Sequence, residues 1–157
     1  MSVLPDRDAL KAAAEAGDPA VWERRALLLI ALVNLDVIRE FFPAGVGDRV
    51  MEECARRLKD QARFGDIVAR AGGDQFAVLL IDLPESDSGL ARANELFRAL
   101  RTIRVGDVVM PIDARCGLAR GRPFLLPSDL RFDELYERAE RALTRARAFG
   151  TAVAVED

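Results

Sequence analysis

The sequence predicts an α+β sandwich, a mainly antiparallel sheet with helices packed on its faces. Three observations carry this. Apolar runs of strand length stand at Arg25–Val33, Phe76–Leu80 and Ala114–Ala119. Between them, apolar residues recur at helical spacing, as in Val50, Met51, Cys54, Leu58 and Ala62. Glycine turns at Gly72-Gly73-Asp74 and Gly106-Asp107 join neighbouring runs too closely for a parallel crossover.

In chain order, Asp8–Ala16 is an alanine-rich helix ended by Gly17-Asp18-Pro19. Arg25–Val33 is apolar throughout, the mark of a strand buried on both faces. Asn34 can cap the helix Leu35–Phe42, which Pro43 and Gly45 stop. Gly47-Asp48 opens a longer helix to about Arg63, and Gly65 fits the left-handed residue past its end. Ile67–Ala71 and Phe76–Leu80 form a hairpin, with Gly72 and Gly73 supplying the positive φ of a two-residue turn. Pro84 and Ser86 introduce a helix to about Leu100. Ile103–Val105 and Val108–Ile112 form a second hairpin, and Ala114–Ala119 is a further strand. A proline-containing loop, Gly121–Ser128, leads to the last helix, Asp129–Phe149, then Gly150 and a final strand, Thr151–Val155. The order is β-α-α-β-β-α-β followed by α and β, without an internal repeat.

Composition bounds the function. The 157 residues are half apolar, enough for one domain with a sizeable core. Lys and Arg number 23 against 26 Asp and Glu, so the net charge of −3 disfavours non-specific nucleic-acid binding. Lys11 and Lys59 are the only lysines; arginine suits planar recognition of phosphates and guanine edges. Without histidine, no imidazole base or ligand is available. Cys54 and Cys116 are widely spaced and read as free thiols of a reducing cytosol. The run Ala26–Val33 is too short to span a bilayer and no signal-peptide pattern opens the chain, so a cytoplasmic location is expected.

The stretch Arg63–Leu80 resembles the GGDEF domain of diguanylate cyclases, which make cyclic di-GMP from two GTP. The signature loop stands as Gly72-Gly73-Asp74-Gln75-Phe76, and an Arg-x-x-Asp motif as Arg63-Phe64-Gly65-Asp66, five residues before the glycines. Val3–Arg7, Ala139–Leu143 and Gly150 match further family landmarks, so the resemblance covers nearly the whole chain. It implies the family's nucleotidyl-cyclase-like, ferredoxin-like sandwich. The family's opening Asp-x-Leu-Thr segment is missing, and residues 1–157 are expected to be a single GGDEF-like domain cut from a longer signalling protein.

In the family, two Mg²⁺ ions are held by an aspartate of the first strand and an acid of the signature loop. Here the resemblance places Ala31 at the strand aspartate and Val33 at a second one. Arg39 stands at a guanine-binding asparagine, and Gln75 follows Asp74 in the loop. Arg147 replaces a phosphate-reaching lysine and keeps its charge. A lone carboxylate is a poor Mg²⁺ site, so a catalytically silent domain with no cofactor or metal is expected.

The second motif is whole. Arg63 can donate to guanine O6 and N7, and Asp66 can accept from the opposite guanine edge. Gly65 would let the chain turn and place both side chains outside the domain. The resemblance implies a cyclic di-GMP site at Arg63, Phe64, Gly65 and Asp66, completed by a further arginine from Arg92, Arg98 or Arg101, with Arg98 singled out. The leading expectation is a cyclic di-GMP receptor that signals to a protein partner in motility, surface or cell-cycle control, with a ligand-bridged dimer as one form. A weak cyclase and a nucleotide-free interaction domain are the alternatives.

Overall fold

The computed structural model describes residues 4–16, 19–122 and 127–156. Gly17, Asp18 and the middle of the proline-containing loop lie outside them. Five strands form one sheet in the order β2-β3-β1-β6-β7. These are β1 (Ala26–Leu32), β2 (Ile67–Arg70), β3 (Gln75–Leu80), β6 (Ala114–Arg120) and β7 (Val153–Glu156). β7 runs parallel to β6, and the other pairings are antiparallel. β4 (Thr102–Val105) and β5 (Val108–Pro111) make a separate two-stranded ribbon.

β1 is the centre of the sheet and every one of its residues is buried. Its side chains alternate between two cores because successive residues of a strand face opposite ways. Leu28, Ile30 and Leu32 pack beneath α2 (Leu35–Phe41), α3 (Val46–Gln61) and α4 (Leu90–Ala99). Leu27, Leu29 and Ala31 pack beneath α1 (Arg7–Glu15) and α5 (Ser128–Phe149). The α+β sandwich expected from the sequence is therefore the observed architecture.

Several local expectations change. Asn34 does not cap α2; its amide donates to Pro111 O and its carbonyl accepts from Asp113 N–H. α4 begins at Leu90, not near Pro84 or Ser86. Asp82 and Ser86 have positive φ, and the Asp87 carboxylate accepts from Gly89 N–H, which ties residues 82–89 into a loop. The signature hairpin closes through Ala71 N–H to Gln75 O, with three residues between, and neither Gly72 nor Gly73 has positive φ.

Cys54 and Cys116 are free and buried in the core beneath α2, α3 and α4. Burial pushes both thiols up from 9.0 to about 12. An unfolded thiol ionises near 9.0 while the folded one stays protonated, so the two cysteines remove stability as pH rises from 9.0 towards about 12. Both are expected to resist a thiol reagent in the native protein at pH 8 and to react once it is denatured. Rapid native labelling would contradict their placement.

Candidate functional site: the Arg63–Asp66 turn and the signature hairpin

α3 ends at Gln61, and the chain turns over Arg63–Asp66 before entering β2. Asp66 N–H donates to Arg63 O at 2.9 Å and Gly65 has φ +91, the positive third residue of a type II turn. The positive φ is what favours glycine here; a Cβ would also lie 2.2 Å from Ile81 Cδ1, the tip of a side chain that can shift. Gly65 thus belongs to this turn and does not cap α3.

Asp66 departs from its expected role. Its side chain is only 3% exposed and points inward. Oδ2 accepts from Arg63 N–H at 3.0 Å and from Arg92 Nη2 at 3.3 Å, and Oδ1 accepts from Ile81 N–H at 3.1 Å. The carboxylate is a staple of the turn and does not lie outside the domain with Arg63. Arg92 of α4 is itself buried and also donates to Gln61 O at 3.0 Å and to Glu95. Arg98, six residues further along α4, is exposed and makes none of these contacts, so Arg92 is the helix arginine joined to the turn.

The locked turn presents Arg63 and Phe64. Phe64 is fully exposed, and Arg63 is exposed with no partner for its guanidinium among the described residues. Beside them runs a groove of about 320 Å³ lined by Leu4, Pro5, Lys59, Ala62 and Ile67. A planar donor next to an aromatic face can hold a purine by edge and by face. The other two Arg-x-x-Asp strings are unlike it. Asp60 pairs with Arg56 while Arg57 turns to Glu53 and to two backbone carbonyls. Arg104 and Asp107 only flank the β4–β5 turn.

At the opposite end of the hairpin, Ala31 stands across β1 from Gln75 on β3 and from Arg115 on β6. Directly paired residues share a face, so an alanine, a glutamine and a guanidinium form one row. Ala31 is buried and adds no donor atom. Arg115 pairs with Asp113 at 2.6 Å. Asp74 follows the two glycines, and its carbonyl accepts from Leu32 N–H at 3.0 Å. Arg39 is exposed on α2 with its aliphatic part against Gly47, and Arg147 is exposed in the last turn of α5. Among the described residues no cluster of three or more metal-ligating side chains occurs, and the Ala31–Gln75–Arg115 row does not fit a Mg²⁺ ion. Arg92 and Arg115 carry no motif of their own; only the strand register and the fold of α4 bring them to these sites.

The family described as Diguanylate cyclase, GGDEF domain matches residues 3–152. Diguanylate cyclase TpbB of Pseudomonas aeruginosa is 34% identical over 89 residues, 54% of this chain and 20% of the relative. Diguanylate cyclase DgcM of Escherichia coli is 29% identical over 131 residues, 83% of this chain and 30% of the relative. The chain therefore spans less than a third of these relatives' length. The crystal structure of the TpbB GGDEF domain superposes with a TM-score of 0.84 at 26% identity, covering 100% of this chain and 99% of that one. The GGDEF domain of DgcB from Caulobacter crescentus, solved with c-di-GMP, superposes at 0.76 with 20% identity over 97% and 91% of the two chains, a likeness of fold.

These relatives overturn the expectation that the chain is not an enzyme, since both curated relatives are named diguanylate cyclases. That expectation weighed the carboxylates missing at Ala31 and Gln75 and Arg39 in place of an asparagine against the charge kept at Arg147; it did not include Arg115, which only the strand register brings beside Ala31.

Proposed function

The chain belongs to the GGDEF family of diguanylate cyclases, and we propose that it binds cyclic di-GMP at the Arg63–Asp66 turn and passes that state to a protein partner. The observation that carries this is the pairing of exposed Arg63 and Phe64 on a turn held rigid from within. Arg63 donates to guanine O6 and N7, and Phe64 supplies a face for the base. Asp66 and Gly65 set the geometry without touching the ligand. A rigid platform avoids ordering costs on binding. A ligand with two guanines can occupy two such turns, so a dinucleotide-bridged dimer accords with the same site.

Calorimetric titration of cyclic di-GMP into the domain tests this. Low-micromolar binding is expected, lost in Arg63→Ala. Phe64→Ala is expected to weaken binding by about tenfold, at the lower end of the range for stacking on an aromatic side chain. Binding unchanged in both variants would refute the assignment.

Synthesis of cyclic di-GMP from two GTP is a second reading, favoured by the relatives named diguanylate cyclases. Incubation with GTP and Mg²⁺, followed by chromatography for cyclic di-GMP, tests it. Product formation would establish the activity, and unconsumed GTP would exclude it for this domain.

A further inference from the structure

The β4–β5 ribbon stands apart from the main sheet, and its β4 side faces α3. Ile112 N–H donates to Arg101 O at 2.9 Å, which sets the ladder between the two strands. Backbone groups alternate in direction along a strand. Arg101, Ile103 and Val105 therefore turn their N–H and C=O groups towards β5, while Thr102 and Arg104 turn theirs away. The Thr102 carbonyl shows where this second set points, because it accepts from Arg57 Nη1 of α3 at 2.7 Å. Arg57 also donates to Ala99 O at 3.0 Å, which pins the base of the ribbon to the helix. Beyond that clasp the two elements diverge. A groove of about 370 Å³ opens between the N-terminal half of α3 and Arg104–Gly106. The outward Arg104 N–H and C=O make no hydrogen bond to protein among the described residues.

The charges that line the groove differ in how far they are engaged. Glu53 is held by Arg56 and Arg57, and hydrogen bonding from Arg56 first keeps its carboxyl below the ordinary carboxylate range. Arg49 lines the helix side and Arg104 the ribbon side. Both are exposed, and neither guanidinium has a partner among the described residues. Glu52 is likewise exposed and without a partner among them. An open strand edge offers main-chain pairing to any extended chain. Guanidinium groups on either side of it select for carboxylates.

We propose that this groove docks a short acidic segment of a protein partner as an added strand on β4. The backbone of the segment pairs with the Arg104 peptide, and its carboxylates meet Arg104 and Arg49. Residues paired across neighbouring strands share a face, so a carboxylate opposite Arg104 lies beside its guanidinium. Glu52 opposes the same charge and limits the affinity of the site. This names the chemistry of the partner proposed above and rests on that reading for the partner itself. The groove runs along the N-terminal half of α3, away from the Arg63–Asp66 turn that follows its other end.

The peptide acetyl-Glu-Val-Glu-Val-Glu-amide, titrated into the domain without cyclic di-GMP and followed in ¹H–¹⁵N correlation spectra, tests the inference. The Arg104 amide proton is expected to move downfield and saturate together with the Arg49 and Arg104 Nε–H signals. Arg49→Ala and Arg104→Ala are each expected to bind about tenfold more weakly, the scale of a charge-assisted hydrogen bond. The same peptide with glutamine in place of glutamate should lose at least as much. Glu52→Gln is expected to tighten binding about threefold, the scale of one exposed charge pair, a gain that damage to the fold would not produce. No saturable shift, equal affinity for the glutamine peptide, or side-chain signals that move while the Arg104 amide stays still would each overturn the proposal. Displacement of the peptide is not expected from inorganic tripolyphosphate at equal concentration, and a tighter hold on that ion would make the groove a plain anion site. The titration contains no dinucleotide, so its failure is distinct from a failure of cyclic di-GMP binding at Arg63.

Discussion

Replacing Asp66 with alanine is expected to remove about 3 kcal/mol of folding stability, the scale of breaking a buried ion pair by deleting one partner. Three donors lose their acceptor at once: Arg63 N–H, Ile81 N–H and the Arg92 guanidinium. Arg92 is 8% exposed in its side chain, so water does not replace the lost partner freely. The charge stays close to Gln61 O and Glu95, which limits the loss. In a domain of this size the melting temperature should fall by about 10 °C. Asp66→Asn keeps the oxygen that Ile81 N–H uses and should lose roughly half as much. Thermal and urea melts check both. A wild-type melt for Asp66→Ala would show that the carboxylate is free, as guanine recognition by Asp66 would require.

Gly117 carries the second large effect. It lies in β6 where α5 crosses the sheet, and a Cβ there would come within 2.3 Å of Leu143 N and 2.4 Å of Ala139 O. Both atoms are helix backbone, so no rotamer change relieves the clash. Gly117→Ala must push α5 off the sheet that it buries, at a cost of about 3 kcal/mol, the upper range of overpacking. Gly117→Val is expected not to fold. Circular dichroism melts of Gly117→Ala beside Gly72→Ala make the comparison, because Gly72 has open space around it. Equal melting temperatures would contradict the close approach of β6 and α5.

The sandwich was legible because β1 advertises itself. A run of seven buried apolar residues needs cover on two faces, and the helices flanking it carry apolar stripes that provide the cover. The second hairpin and the existence of a last strand followed from turn residues and chain order, whereas the parallel pairing of that strand with β6 did not. What was illegible depended on contacts between distant residues. Asp66 meets Ile81 and Arg92 at separations of 15 and 26 residues, so its inward orientation has no local signal. The same holds for Arg115, which reaches Ala31 only through the β1–β6 register. At Gly72 and Gly73 the sequence suggested a positive-φ turn, whereas the backbone is held by Arg70 without one. The late start of α4 reflects local side-chain turns at Asp87 and Ser88, which accept from the backbone two residues on and compete with helix formation.

Arg63 and Phe64 form the centre of the proposed ligand site, and a reporter at the exposed ring tests it most directly. In Phe64→Trp the new indole stands in solvent, while the native Trp22 is buried and contributes a constant background. Titration with cyclic di-GMP should quench and shift the emission of the exposed indole in a saturable way, with the affinity that calorimetry gives. Binding seen by calorimetry with no change in that emission would place the dinucleotide elsewhere on the domain.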